Sequence, residues 1–549
     1  MKLKNIDKNN IIRLTPLDDT SIEIAKKIIM NKFYLSSGLE EIDFNEEIDW
    51  EYSHVNNKNT YLLYLHSLTT ISYLVNAYEL TKFKDYLEKA KEVLYSWMKY
   101  EKSYTKNDMI WYDHTVASRS QNILYFYGIA KDELELDTES IESMIMKHVE
   151  FLYDDNNYSN NNHGIMMDKA LIVFSKTIES DDVDKWSVKA ISRLKETFYN
   201  SFTLQGVHLE NSIYYHNFVY KLYIKIEEFL NEYELTLGKE ILERFNKINN
   251  YFKYAAKPNG ELPLLGDTTK FYIRGVTKDY TSFFDKDAGI VILQSKDEKE
   301  IENSTWLSFI CGNFKKTHKH YDDLSFTLYY KGEDIFVDSG SFGYGRGKER
   351  YYMQSAASHN TLMANKKNYK MLMGDELHSK VKLNNFLSNK YYDIVKGQNY
   401  SYEGIGLERT IVFFKPDIII VFDKAISENE NVYSQIFNLS PQIKISKISN
   451  EECELKGKKV KVNIRQILPV ANHEVHLANR DLPKAVISEK TGKLIDTAQV
   501  EFYENAINKK FITLITLDSS ENRIKNIRYD ENCEVLKIKV DDLEHTLVF

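Results

Sequence analysis

Histidines, carboxylates and tyrosines recur in this chain at spacings that suit proton transfer and metal binding. The densest group reads Thr317-His318-Lys319-His320-Tyr321-Asp322-Asp323, continues through Asp338-Ser339-Gly340 and closes on Ser358-His359-Asn360-Thr361. Around it, Phe326 to Tyr330 and Ile335 to Val337 are aromatic and β-branched, and Gly332 and Gly340 punctuate them, so the group reads as borne on strands. Residues two apart on a strand share a face, which points His318 and His320 the same way. Two of these histidines with one aspartate could close on a zinc ion and leave the third for proton transfer. Asp338 follows His320 by eighteen residues and His359 follows by a further twenty-one. The alternative is a pair of structural histidines hydrogen-bonded to a buried carboxylate.

Three other clusters carry usable chemistry. Trp111 to Arg119 looks like a loop opening a helix, and an arginine one turn in could grip a carboxylate in bidentate fashion or make a surface salt bridge. Asn160-Asn161-Asn162-His163-Gly164 precedes a helix, so its asparagines serve either as a cap or as amide donors to an anionic oxygen, with His163 alongside. Gly206 to His216 holds Glu210, Tyr214 and Tyr215, the tyrosines being core aromatics or proton carriers. A tyrosine with a reference pKa near ~10 needs cationic neighbours to act as a base, and His216 and the basic residues downstream are candidates. Those basic residues are Lys315, Lys316, Lys319, Arg346, Lys348, Arg350, Lys366 and Lys367, either one anion-attracting cleft or a solvated loop surface.

The elements that must position these groups differ along the chain. From about residue 17 to 255 apolar residues recur at helical spacing, as in Leu62, Leu63, Leu65, Leu68, Ile71, Leu74 and Val75 within Thr60 to Leu80. Further helices are expected at Ser21–Asn31, Lys84–Tyr100, Thr115–Ile129, Glu139–Tyr153, Ile165–Lys176, Asp184–Tyr199, Tyr215–Tyr233 and Gly238–Ala255, with Asp137 and Asp181-Asp182 as N-caps. Short connections suggest antiparallel pairs, compatible with an α/α toroid, a solenoid or a large bundle. Pro258-Asn259-Gly260, Pro263 and Gly266-Asp267 mark a loop-rich connector, after which strands dominate to the C-terminus. Closely spaced strands with little helix suggest a β-sandwich or stacked sheets. We therefore expect an α+β chain with a helical domain over 1–275 and an antiparallel β domain over 276–549, with a possible subdivision near 385–400.

Bulk properties restrict the function. At 549 residues the chain is too long for one core, and a net charge of −9 with a pI near 5.9 argues against a general nucleic-acid binder. Cys311, Cys453 and Cys533 are too few for a disulfide framework or a thiolate metal site. No membrane-length apolar stretch and no signal peptide are visible, so the chain as given reads as cytoplasmic, or periplasmic or secreted if a leader was removed. The 39 tyrosines fit either carbohydrate stacking platforms or a general compositional bias.

Taken together, the clusters resemble the heparinase II/III family of polysaccharide lyases and are similar to the oligo-alginate lyases. The resemblance rests on Trp111 to Arg119, on Asn161-Asn162-His163-Gly164, on Glu210-x-Ser212-x-x-Tyr215-His216, and on His318-x-His320-x-Asp322 followed by Asp338-x-Gly340 and His359-Asn360-Thr361. It implies an N-terminal α/α toroid, C-terminal antiparallel sheets and an active site in the cleft between them. It implies further that Asn162 holds a uronate carboxylate with help from His163 and Arg119, that Tyr215 and His318 transfer protons, and that Glu210, His216 and Tyr344 belong to the substrate site. A chiefly structural zinc would sit on His320, Asp338 and His359. The expected substrate is an acidic uronate polysaccharide or oligosaccharide, heparan-like, alginate-like or a bacterial exopolysaccharide, cleaved by β-elimination. Two rival readings are a metal-dependent carbohydrate hydrolase, in which the same His and Asp set activates water, and a noncatalytic polysaccharide-binding protein.

Overall fold

The computed structural model describes residues 2–3, 10–55, 57–103, 107–312 and 315–549, so most of the polar N-terminal stretch lies outside the described residues. By contact the chain divides into two compact units, Met1–Ser201 with Lys221–Leu242, and Phe202–Tyr220 with Glu243–Phe549. Helices give way to strands between Ala255 and Phe283, whereas the contact division falls earlier, within two helices.

Among the described residues ten α-helices, interrupted only by two-residue strands and a short 3-10 turn, precede the large sheets: α1 (Asp19–Ile29), α2 (Lys58–His66), α3 (Thr69–Thr81), α4 (Asp85–Lys102), α5 (Asp113–Ala130), α6 (Thr138–Tyr153), α7 (Asn162–Thr177), α8 (Val183–Tyr199), α9 (Ile213–Asn231) and α10 (Lys239–Ala255). In the helical unit α3 packs on α4 and α5, α5 on α6 and α7, and α7 on α8. Burial separates these into two layers. Every residue of α5 except His114 and Gly128 is buried, while α4 buries one stripe, Tyr86, Leu87, Ala90, Val93, Leu94, Trp97 and Met98. An inner row wrapped on all sides and an outer row buried along one stripe is the layering of an α/α toroid. The single helix expected over Thr60–Leu80 is instead α2 and α3. Leu68, fully buried, takes a left-handed conformation at φ +53° and turns the chain between them. Asp137 caps α6 by accepting the Ser140 N–H.

The sheet unit is antiparallel throughout its named strands. A five-stranded meander runs in chain order from Phe283–Asp285 through Ile290–Ser295, Thr305–Ile310 and Ser325–Tyr330 to Glu333–Phe336. An eight-stranded sheet has Ile405–Phe414, Ile418–Ser427 and Lys509–Leu517 at its centre. Its apolar runs are continuous because both faces are covered. Ile411, Phe413, Ile419 and Val421 enter a core shared with the meander, while Val412, Phe414, Ile418 and Ile420 face a second core closed by Leu536 and Ile538 of a three-stranded C-terminal sheet. Each such side chain contributes about 1.5–3 kcal/mol through burial. Residues 385–400 run along the hairpin of Val381–Ser388 and Tyr392–Tyr402, the first two strands of the eight-stranded sheet, with 389–391 in the turn between them. Among the described residues no helix is long and apolar enough to cross a membrane.

Candidate functional site

In the helical unit the Asn-rich motif divides its labour. Asn161 is the N-cap of α7, its side-chain oxygen accepting the His163 N–H at 2.7 Å, which leaves the half-buried Asn162 amide outside the cap. His163 Nδ1 donates to Asp113 Oδ1 at 3.0 Å, and the second Asp113 oxygen accepts from Ser159 Oγ at 2.6 Å. Burial would raise the Asp113 carboxyl, but His163, Ser159 and the His114 N–H outweigh it and hold it below its ordinary value. Gly164 is needed at the next position, because a β-carbon there would lie 2.1 Å from Ser159 O and 2.7 Å from the Tyr158 ring. Tyr158 is anchored in turn by Asp168 on α7 at 2.9 Å.

Arg119 forms no surface salt bridge and lies in the interior of the helical unit. It is fully buried, with its guanidinium 4.2 Å from the Trp97 ring centroid and 5.3 Å from that of Trp111. Its donors go to His148 Nε2 at 2.9 Å and the His66 carbonyl at 3.0 Å. The helix that carries it is buried all round, so one turn into α5 is core.

In the sheet unit the central residue is Asp267, a buried carboxylate in the connector. Its Oδ2 accepts from His318 Nδ1 at 3.0 Å and its Oδ1 from His320 Nε2 at 3.0 Å. Arg350 grips both oxygens, with Nη2 at 2.8 Å from Oδ2 and Nη1 on Oδ1. Burial acts to raise this carboxyl, and the hydrogen bonds from His318, His320 and Arg350 overcome it and hold it well below the usual carboxylate range. The Asp267 carbonyl accepts from Ser212 Oγ at 3.0 Å, just before α9. Asn211 Nδ2 donates to the Lys315 and Thr317 carbonyls at 2.7 and 3.0 Å. The segment bearing His318 is thereby tied to the start of the helix bearing Tyr215. The Tyr215 and His318 rings stack with centroids 3.5 Å apart and planes 16° apart. The Tyr215 hydroxyl lies 2.7 Å from that of Tyr344, which is exposed.

Several expectations are corrected here. His318 and His320 do not share a strand face: His318 sits in a turn at φ +58°, and the two rings converge because both donate to Asp267. Glu210 is buried, with Oε2 3.8 Å from His318 Nε2, so it faces the histidine rather than open solvent. His216 is buried too, accepting the His208 N–H on Nδ1 and contacting the Ile248 carbonyl through Nε2, and burial pushes it down to about 4. It is a neutral core residue and supplies no cation to Tyr215. Four of the eight basic residues have separate partners. Lys319 is buried on Asp322 and Asp323, Arg350 on Asp267, Lys348 donates to the Asp481 carbonyl, and Lys366 pairs with Glu501. Asp267 is the site residue that the sequence marks only as part of the Gly266-Asp267 turn, and Arg350 is marked there only as one of the basic residues.

His320, Asp338 and His359 are drawn together: all are buried, and one ligand atom from each lies within 4.8 Å of the others. His359 Nδ1 donates to Asp338 Oδ2 at 3.0 Å. His320 Nδ1 and His359 Nε2 have no hydrogen-bond partner, and unpaired imidazole nitrogens beside a carboxylate fit a divalent metal.

Comparisons with known proteins agree with this architecture. The Heparinase II/III N-terminus model matches residues 2–291, and the Heparinase II/III-like C-terminal model matches residues 277–523. A heparin-sulfate lyase of Bacteroides thetaiotaomicron is 22% identical over 450 residues, 71% of this chain and 63% of the relative. The chain thus spans less than two thirds of that relative's length. A heparin-sulfate lyase of Pedobacter heparinus is 20% identical over 472 residues, 77% of this chain and 69% of the relative. The crystal structure of heparinase III superposes with a TM-score of 0.82 at 17% identity, covering 99% of this chain and 94% of that one, and so shares the fold. With the N-terminal model alone matching more than half of its length, the chain belongs to the heparinase II/III family.

Proposed function

We propose that the protein is a polysaccharide lyase that cleaves a uronic-acid-containing glycosaminoglycan, of the heparan-sulfate type, by β-elimination. The observation that carries this reading is the Tyr215–His318 pair: a phenol stacked at 3.5 Å on an imidazole that is itself fixed by a buried carboxylate, with the phenol oxygen beside the exposed Tyr344. Pure binding needs stacking aromatics but not a fixed Tyr-His pair of this kind. The names of the two curated relatives support the substrate class.

The chemistry follows from the residue types. Elimination moves the C5 proton of the uronate to a base, breaks the C4–O bond and leaves a C4–C5 double bond, with a proton delivered to the departing oxygen. The C5 proton is too weakly acidic unless the charge that develops on the adjacent carboxylate is stabilised. Asn162 is assigned to that carboxylate as amide donor, with His163 assisting. Tyr215 and His318 form the proton-transfer pair, and general acid-base groups of this type contribute about 10²–10⁴-fold. His320, Asp338 and His359 would hold a zinc ion, which when bound supplies a cross-link within the sheet unit. The full burial of these three supports a bracing metal over one that activates water.

The test is incubation with a panel of uronate polysaccharides while following the ultraviolet absorbance of the new double bond. Rising absorbance with heparan-type chains is expected. New reducing ends without absorbance would point to hydrolysis, and binding with neither to a noncatalytic role. For the metal, elemental analysis of the purified protein should find stoichiometric zinc that His320→Ala removes. Unchanged content in that variant would refute the ligand assignment.

A further inference from the structure

Resting on the reading of Tyr215 and His318 as the proton-transfer pair, we propose that Asp267 is the positioning residue of the site, setting the ring of His318 through its carboxylate and the place of Tyr215 through its main chain. Four observations converge on it. Its Oδ2 holds His318 Nδ1 at 3.0 Å, which makes Nδ1 the donor and leaves Nε2 as the other ring nitrogen. Nε2 lies 3.8 Å from Glu210 Oε2, beyond hydrogen-bond distance, so Asp267 makes the one direct side-chain hydrogen bond described for the ring. Arg350 grips both oxygens and also lies over the Tyr344 ring, 5.3 Å from its centroid, so the carboxylate plane is fixed by a rigid fork.

The fourth observation concerns the backbone. The Asp267 carbonyl accepts from Ser212 Oγ at 3.0 Å, and Ser212 also contacts Thr268 Oγ1 at 2.9 Å, three residues before Tyr215. Gly266, at φ +56°, allows this approach: a β-carbon there would sit 2.3 Å from Asn211 O and 2.8 Å from His318 O. One dipeptide therefore touches the segments that carry both members of the stack. A carboxylate needed only to neutralise Arg350 would have no reason to orient His318 with its other lone pairs, and the 16° alignment of the His318 and Tyr215 planes depends on that orientation.

Asp267→Asn keeps the size but replaces one acceptor oxygen with an amide donor that opposes an imidazole N–H or the guanidinium. The expected result is a fall in kcat of about 10²-fold with KM within about twofold of wild type. Long-range nitrogen–proton correlation spectra of histidine-labelled protein, assigned with His318→Gln, should show His318 leaving the Nδ1–H form in the variant. Arg350→Lys, which retains the charge and loses the fork, should lower kcat about tenfold with the same unchanged KM. Wild-type kcat in Asp267→Asn, or a KM that rises while kcat holds, would overturn the proposal. Should Asp267→Asn fail to fold, a wild-type kcat in Arg350→Lys overturns it instead, and a selective loss of kcat there supports it. Failure of the lyase reading is seen separately, as wild-type protein that produces no double-bond absorbance; the nitrogen spectra test the tautomer whether or not the protein turns over.

Discussion

The two units each hold one candidate histidine in the same way, by a carboxylate 3.0 Å from Nδ1, with a glycine at the close approach: Asp113, His163 and Gly164 in the helical unit, Asp267, His318 and Gly266 in the sheet unit. The surroundings of the carboxylates differ. The Asp113 side chain is met by His163, by the hydroxyl of Ser159 and by the N–H of His114, and His163 keeps 23% of its side-chain surface. Asp267 takes a guanidinium fork and a second imidazole, and its histidine keeps 11%. A carboxylate shared among mostly neutral donors orients one side chain at a helix start, whereas one clamped by a cation can fix several segments at once. The first arrangement suits a ligand-holding group, and the second suits groups whose mutual geometry must not drift.

The largest expected effect tests the functional side of that contrast. Tyr215→Phe removes the hydroxyl while leaving the stack on His318, and should lower kcat by about 10²–10⁴-fold with polysaccharide binding intact by calorimetry. A variant that turns over at the wild-type rate would remove Tyr215 as a proton carrier and leave the clamped unit without its reason for rigidity. Next come the glycines. Gly164→Ala meets a carbonyl and a tyrosine ring at an ordinary helical conformation, and overpacking of this kind costs about 1–3 kcal/mol. Gly266→Ala meets two carbonyls and a left-handed φ, which adds about 1–2 kcal/mol. Urea denaturation should therefore rank Gly266→Ala as the more destabilised, and the opposite order would mean that the sheet-unit junction is the more adaptable. Smaller again is Asp113→Asn, for which about a tenfold loss of kcat/KM is expected, against about 10²-fold in kcat for Asp267→Asn. Equal losses would erase the distinction between the two carboxylates.

These contrasts were unevenly legible in the sequence. Helix positions followed from apolar spacing, because each outer helix buries one stripe, and the β half followed from its branched and aromatic runs. The Asn-rich motif presented two readings, cap and donor, and the fold uses both on adjacent residues, a division that spacing alone does not express. Period-two spacing puts His318 and His320 on one strand face, yet their convergence is made by a carboxylate more than fifty residues earlier, to which that spacing has no access. For Arg119 the residue type allows a carboxylate grip and the family resemblance implies one. Ser118, Arg119 and Asn122 lie on the side of α5 opposite Val116, Ala117 and Leu124, so helical spacing alone gives this stretch a polar side, and its burial is the work of tertiary packing. For Glu210 and His216, likewise, residue type shows what a side chain can do, while the fold buries both, Glu210 beside His318 and His216 in the core.

The smallest predicted effect concerns the histidines beneath Arg119, which belong to the helical unit's core. His148 Nε2 accepts from Arg119 while Nδ1 donates to the Met144 carbonyl, and His66 Nδ1 accepts from the Trp97 N–H, so both rings are held neutral. Burial, reinforced by the Arg119 charge, pushes His66 down to about 3 and His148 well below its ordinary value. A histidine with a depressed folded-state pKa contributes its full stability above the unfolded value near ~6.5. As pH falls below that value the unfolded chain takes up protons that the folded one refuses, and stability drops until the folded pKa is reached. Between pH 7 and 6 the loss should be about 0.5–1 kcal/mol for each ring. Trp50, Trp97, Trp111 and Trp186 lie in this unit and only Trp306 in the other, so tryptophan emission during urea denaturation reports mainly on it. His148→Gln retains an acceptor for Arg119 without a titrating group, and because burial depresses His66 and His114 of this unit as well, it should reduce the pH-dependent shift of the midpoint by about a third. An identical midpoint at the two pH values in the wild type would mean that these rings are not held neutral, and that the core beneath Arg119 opens to solvent before the helices unfold.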